Sequence, residues 1–300
     1  MNEATAWSSR LRRRSALIAL AFVAVAGVAF GSGIAGPADA AVASVSTGKG
    51  DKPPKPPRGG GGGGGGGGGT TELEYAAVGD SFAAGVGARS YLEATCYTSS
   101  KGYPKLLDAD ANLRLVALPA CSGASTIEVT SGQVPAIPTT TTRVTLTAGG
   151  NDVGFAAVMQ DCFVLRTSAC ESSIQSGEAL VANGTVTANV AAVIQAIHAK
   201  VPSAKVVVTG YPLLFNLPNA RYQWAARVND GTVNLNNAIE VAAVANNAVF
   251  VDVEAAFAGH GIGSASPWIN DWSWLFYTDG FHPNAAGYSA YAGEVRKAIG

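Results

Sequence analysis

Five short, mostly apolar runs, three of them rich in β-branched residues, recur through the last 229 residues of the chain: Tyr75–Val78, Leu113–Leu118, Val144–Thr147, Lys205–Thr209 and Val249–Val253. Each is followed by turn residues and then by a longer segment, and this alternation is what most constrains the fold. Strands joined through helical crossovers pair in parallel, and a parallel sheet must be covered on both faces. Helices are expected from Val186 to Ala199, Val233 to Ala245 and Ala285 to Ile299, with less sharply marked ones near Ser81 and Asp152. The first of these places Val190, Val193, Ile194 and Ile197 on a single stripe, the period of a helix with one buried face.

The preceding residues read differently. Residues 1–40 combine a basic RLRRR at 10–14, an apolar run over 15–30 and the small-residue sequence Ala38-Asp39-Ala40, the order of a signal peptide cleaved near Ala40, with Ala43 as the neighbouring choice. The apolar run is shorter than the roughly 20 residues that span a bilayer. Residues 41–71 hold a Pro/Lys-rich stretch and eleven consecutive glycines, Gly59–Gly69, the composition of a disordered linker. Residues 72–300 are therefore expected to form one folded domain, exported from the cell.

That domain carries 12 Lys and Arg against 18 Asp and Glu, without a basic cluster, which excludes nucleic acid as an expected partner. Its four cysteines, Cys96, Cys121, Cys162 and Cys170, form an even set that suits two disulfides in an oxidising compartment. They have neither C-x-x-C spacing nor a histidine pair beside them, so no metal or cofactor is expected.

In a parallel sheet, ligands meet the loops beyond the carboxyl ends of the strands. Three such loops carry groups useful to acyl transfer. The first, Gly79-Asp80-Ser81-Phe82, offers Ser81 as a nucleophile. The second, Cys121-Ser122-Gly123-Ala124, offers the Gly123 N–H. The third, Gly149-Gly150-Asn151-Asp152, lets Asn151 aim an amide N–H at a developing oxyanion while Asp152 caps the following helix. Of three histidines, His198 ends a helical stripe and His260 has no acid at short spacing. His282 follows Asp279 by three residues just ahead of the last helix. A D-x-x-H turn lets Asp279 accept from Nδ1–H and turn Nε2 toward the nucleophile, although a main-chain carbonyl could hold the ring instead.

GDSF, ACSGAST, LTAGGNDVGF and DGFHPN stand in the order and approximate spacing of the SGNH (GDSL-type) hydrolases, and the chain resembles that family over about residues 75–290. No G-x-S-x-G elbow competes with this resemblance. It is nearest in wording to the family's secreted bacterial esterases and lipases. The resemblance implies a flavodoxin-like three-layer α/β/α sandwich with a central parallel sheet of about five strands. It also implies Ser81 as nucleophile, His282 as base, Asp279 as the third triad member, and an oxyanion hole of the Ser81 and Gly123 N–H groups and the Asn151 side chain. The activity implied is ester hydrolysis through an acyl-enzyme, with a small-molecule or lipid ester as partner. A monomer making transient contact with a membrane or cell-wall surface fits that role. Carbohydrate O-acetylesterase, acyltransferase and an inactive binding module are the alternatives. Pairing of Cys96 with Cys121 and Cys162 with Cys170 follows the same resemblance, and it leaves loop 260–277 without a staple. Trp268, Trp272, Trp274, Phe276 and Tyr277 in that loop are candidates for an acyl or sugar pocket.

Overall fold

The structure, a computed structural model, describes residues 72–300. The expected signal peptide at 1–40 and linker at 41–71 lie outside the described residues. Five strands form one parallel sheet: β1 Leu73–Gly79, β2 Leu113–Ala117, β3 Arg143–Thr147, β4 Lys205–Thr209 and β5 Val249–Val251. Their order in space is β2-β1-β3-β4-β5.

Side chains alternate across a strand, so each strand serves two layers. On one face lie Ala77, Thr145, Thr147 and Thr209, all fully buried. Their hydroxyls are satisfied there. Tyr103, on α2 (Tyr103–Leu107), reaches Thr145 and Thr147 at 3.2 Å, and Tyr291, on the last helix (Ala285–Ile299), donates to Thr209 Oγ1 at 2.7 Å. The two tyrosine rings stack at 4.9 Å. On the opposite face Val144, Leu146, Val206 and Val208 are buried under the layer that contains the helices Thr185–Lys200 and Ala225–Ala245.

The remaining helices, in chain order, are α1 Ser81–Ala84, α3 Thr126–Glu128, α4 Phe155–Met159 and α5 Cys170–Ala182. The three already introduced become α6 (Thr185–Lys200), α7 (Ala225–Ala245) and α8 (Ala285–Ile299). Helices α2, α3 and α5 have no counterpart in the sequence expectation, and α7 starts earlier than expected. Helix α5 contains three serines and Gly177, poor helix formers that mask its period. It is held instead by the Cys162–Cys170 disulfide at its start and by a two-pronged ion pair from Arg227 to Glu178. Helix α7 begins eight residues before Val233, because Val228 is buried and Asn229 exchanges hydrogen bonds with the Phe215 backbone at 2.8 and 3.2 Å. Local propensity through Asn229-Asp230-Gly231 opposes a helix there, and these tertiary contacts override it.

The chain passes from β1 outward to β2 on one side, then returns to β3 on the other side of β1. The loops after β1 and β3 therefore diverge and leave a crevice at their carboxyl ends, the place where open α/β sheets take ligands.

Candidate active site

Ser81 opens α1 immediately beyond β1. The turn is tight: Gly79 has φ +136°, and a Cβ there would lie 2.1 Å from the Thr147 carbonyl oxygen. Asp80 then caps α1 by accepting from Phe82 N–H at 2.9 Å. Ser81 is 7 % exposed, enough for its hydroxyl to face the crevice.

His282 arrives from the far end of the chain, and its Nε2 lies 2.8 Å from Ser81 Oγ. Its Nδ1 lies 2.9 Å from the Gly280 carbonyl oxygen. A carbonyl only accepts, so Nδ1 carries the proton and the Nε2 lone pair faces the serine hydroxyl. Phe281, at φ +62°, takes the left-handed turn that swings the Gly280 carbonyl back onto the ring. Burial pushes the imidazole down to about 4, against the Gly280 bond and the Asp279 charge, which both favour the protonated ring.

Asp279 does not meet the expectation that it accepts from His282. Its Oδ1 accepts from Tyr91 O–H at 2.6 Å and its Oδ2 from Arg89 Nε at 3.1 Å. The carboxylate is committed to the segment after α1, and the carbonyl one residue further on has the position the acid was expected to fill. Tyr91 O–H also accepts from Gly87 N–H, so Asp279 ties the histidine turn to that loop. Burial, followed by the bond to Asp279, raises the Tyr91 hydroxyl above its ordinary range.

Loop 260–277 has no disulfide, and main-chain bonds hold it. Asn270 N–H donates to the His282 carbonyl, Phe281 N–H to the Asn270 carbonyl and Asn284 N–H to the Trp268 carbonyl, all at 2.8–2.9 Å. The Asn270 side chain adds bonds to the carbonyls of Gly87 and His282 at 3.0 Å. His282 thus hangs on a short antiparallel ladder centred on the Ile269–Pro283 bridge.

The three expected oxyanion donors stand in the loops that follow β1, β2 and β3. In the turn at 121–124 the amides of Cys121, Ser122 and Ala124 donate to Gly79, Cys96 and Cys121. Gly123 N–H has no acceptor among the described residues, and the residue holds φ +84°. The Cys96–Cys121 disulfide pins this turn, with Cα atoms 4.2 Å apart. Asn151 Nδ2 donates to the Ala124 carbonyl at 3.0 Å, which fixes the amide against the same turn and leaves its second N–H available. Ser81 N–H, at the open start of α1, also lacks an acceptor among the described residues. Asp152 differs from expectation: the N-cap position of α4 is Gly154, while Asp152 accepts from Thr126 N–H at 3.1 Å, the first amide of α3, whose own cap is Ser125.

Tyr211, just beyond β4, was not singled out in the sequence. Its hydroxyl donates to Asp80 Oδ2 at 2.6 Å and accepts from Gly150 N–H at 3.0 Å, joining the serine loop to the asparagine loop. Burial pushes the Asp80 carboxyl up to about 7, opposed chiefly by this tyrosine bond. The rule that ligands gather at strand carboxyl ends, applied to β4 as to β1–β3, would have pointed to it.

A cavity of about 510 Å³ opens beside Ser81 and Asn151 and runs between α5 and α7. Its walls are largely apolar, with Phe155, Val158, Met159, Ile174, Val181 and Leu235 among them. None of the five aromatics expected from loop 260–277 lines it. Trp268 stacks on His260 at 3.7 Å, Trp272 packs against Trp274 at 5.5 Å, and Trp274, Phe276 and Tyr277 are exposed. His260 and His198 are both remote from Ser81 in their bonding, to the carbonyls of Ser266 and Asn246. The described residues contain no group of three or more His, Cys, Asp or Glu able to hold a metal ion.

The sequence pattern of the GDSL-like Lipase/Acylhydrolase family matches residues 77–290. The chain belongs to this family. It is 37 % identical over 221 residues to Lipase 1 of Streptomyces coelicolor, covering 72 % of this chain and 82 % of that one. It is 34 % identical over 223 residues to a lipase of Streptomyces rimosus, with the same two coverages. Among solved structures, the extracellular lipase of S. rimosus superposes with a TM-score of 0.70 at 33 % identity, over 75 % of this chain and 99 % of that one. Phospholipase A1 of Streptomyces albidoflavus NA297 gives 0.69 at 34 % identity, over 76 % and 99 %. This member of the GDSL-like family is an ester hydrolase, built on the family's three-layer α/β/α fold.

Proposed function

We propose that the chain is a secreted serine hydrolase that cleaves lipid carboxylic esters by a two-step acyl-enzyme route. The observation that carries this reading is the linear arrangement Gly280 carbonyl, His282, Ser81, with spacings of 2.9 and 2.8 Å. Ser81 Oγ attacks the ester carbonyl as its proton passes to His282 Nε2, and the imidazolium is held by Gly280 from behind. The N–H groups of Ser81 and Gly123 and the Asn151 amide receive the oxyanion. His282 then returns the proton to the departing alcohol, and water deacylates Ser81 by the same path. The catalytic pair works as a dyad oriented by a carbonyl, with Asp279 as a positioning residue.

The apolar cavity beside Ser81 suits an acyl chain and offers a sugar few polar partners. Lipid esters are further supported by the names of the relatives, lipases and a phospholipase A1. Secretion is supported by the two disulfides, by the leader pattern at 1–40 and by the extracellular lipase of S. rimosus. The test is labelling by a fluorophosphonate and hydrolysis of p-nitrophenyl and phospholipid esters by the full chain and by Ser81→Ala. The variant should lose both with an unchanged far-UV spectrum. Labelling retained by Ser81→Ala would overturn the reading.

A further inference from the structure

Helices α5 and α7 face each other across the cavity, and each presents a glycine to it. On α5 the lining residues Ile174, Gly177, Glu178 and Val181 follow i, i+3, i+4, i+7, one face of the helix. On α7 Val228, Gly231, Thr232 and Leu235 do the same, with Arg227 and Asn234 beside them. Glycine in a helix interior is unfavourable, so each position calls for a local reason.

The two reasons differ. A Cβ on Gly177 would stand 2.7 Å from the Val153 carbonyl oxygen, so this glycine is required by close packing. A Cβ on Gly231 would meet nothing within 4 Å. Gly231 has no left-handed φ to satisfy, and nothing packs against it. What it supplies is space in the cavity wall.

We propose that Gly231 is the specificity-determining position of the acyl site, keeping the channel between α5 and α7 open for a long unbranched acyl chain. This inference rests on the ester-hydrolase reading above and assigns the length of chain that the site takes. A water occupies about 30 Å³ in the liquid and a methylene group is of similar size, so a cavity of about 510 Å³ has volume for a chain on the order of a dozen carbons. The bidentate Arg227–Glu178 pair spans the two helices one turn from Gly231 and holds the gap at a set width. A leucine side chain at 231 would project into this open space and take volume from the channel, which a long acyl chain needs more of than a short one does.

The test compares the full chain with Gly231→Ala and Gly231→Leu on p-nitrophenyl butyrate and p-nitrophenyl laurate. Gly231→Leu should lower the laurate-to-butyrate ratio of kcat/KM by about tenfold or more, and Gly231→Ala should fall between, the scale on which an apolar pocket discriminates by size. Both substitutions raise helix propensity, so the thermal midpoint should not fall. Sodium laurate binding is measured separately by calorimetry in a Ser81→Ala background, where Gly231→Leu should weaken it by a similar factor. An unchanged laurate-to-butyrate ratio, or unchanged laurate binding, overturns the inference. Absence of hydrolysis and labelling in the unmodified chain would overturn the ester-hydrolase reading instead, and the laurate titration would still decide whether Gly231 shapes an alkyl site.

Discussion

Replacing Asp279 by asparagine separates two ways of holding His282. The structure puts the orienting bond on the Gly280 carbonyl, 2.9 Å from Nδ1, and that bond survives the substitution. What the variant loses is the carboxylate charge, which favours the imidazolium formed as Ser81 attacks. Loss of one such charge that makes no direct bond should cost about 1 kcal/mol of transition-state stabilisation, or less than about tenfold in kcat/KM. Had Asp279 been the orienter, the wrong tautomer would cost on the order of 10⁴. Stability should change modestly. The Tyr91 bond passes from charge-assisted to neutral, about 1 kcal/mol. The Arg89 pair adds at most about as much, because the arginine side chain is 57 % exposed. The assay is kcat/KM for p-nitrophenyl butyrate from pH 5 to 9, with urea unfolding alongside. A loss of 10³ or more in a variant that urea unfolding shows to be fully folded under the assay conditions would refute the carbonyl-held dyad and restore Asp279 as the third triad member.

Asn151→Ala should lower kcat by roughly a hundredfold or more with little change in KM, the size of one lost oxyanion donor; a pure KM effect would make Asn151 a binding residue only. Tyr211→Phe removes the main bond that holds the Asp80 carboxyl down, so the folded-state value should rise further above about 7. Asp80 is already raised in the fold, so its contribution to stability is fully present below the ordinary carboxylate range and is lost as pH rises through the folded value. The variant should therefore be destabilised more at pH 8 than at pH 5, by about 1 kcal/mol, since a wild-type value near 7 leaves little more than that to lose by pH 8; thermal unfolding at the two pH values measures the difference, and an equal loss at both would count against it. His282 is pushed down to about 4, so kcat/KM should fall only as pH drops toward 5 and below, whereas an ordinary histidine would lose activity near 6.5. A pH–rate midpoint at 6.5 or higher would contradict the buried ring.

The sequence by itself determined the order of the five strands along the chain and which loops lie at their carboxyl ends. Alternation of apolar runs with periodic helices leaves little but a parallel sheet, and the carboxyl-end rule then selects the loops bearing Ser81, Gly123 and Asn151. It also singled out His282 among three histidines, because a turn residue just before a helix differs locally from one on a stripe. Only the tertiary structure decided which atom faces which. Asp279 and Gly280 are adjacent, and whether carboxylate or carbonyl turns to the imidazole depends on the left-handed φ of Phe281 and on Arg89 and Tyr91, some 190 residues earlier in the chain. Tyr211 gains its bridging role only because β4 lies beside β3, which lies beside β1. The cavity was invisible for the same reason. Its walls come from α5 and the early turns of α7, whose serines, asparagines and glycines give no local helical signal and which are held by an ion pair, a disulfide and buried contacts between distant segments. Local propensity and period act over a few residues, whereas side-chain orientation and enclosed volume are set by contacts across the whole domain.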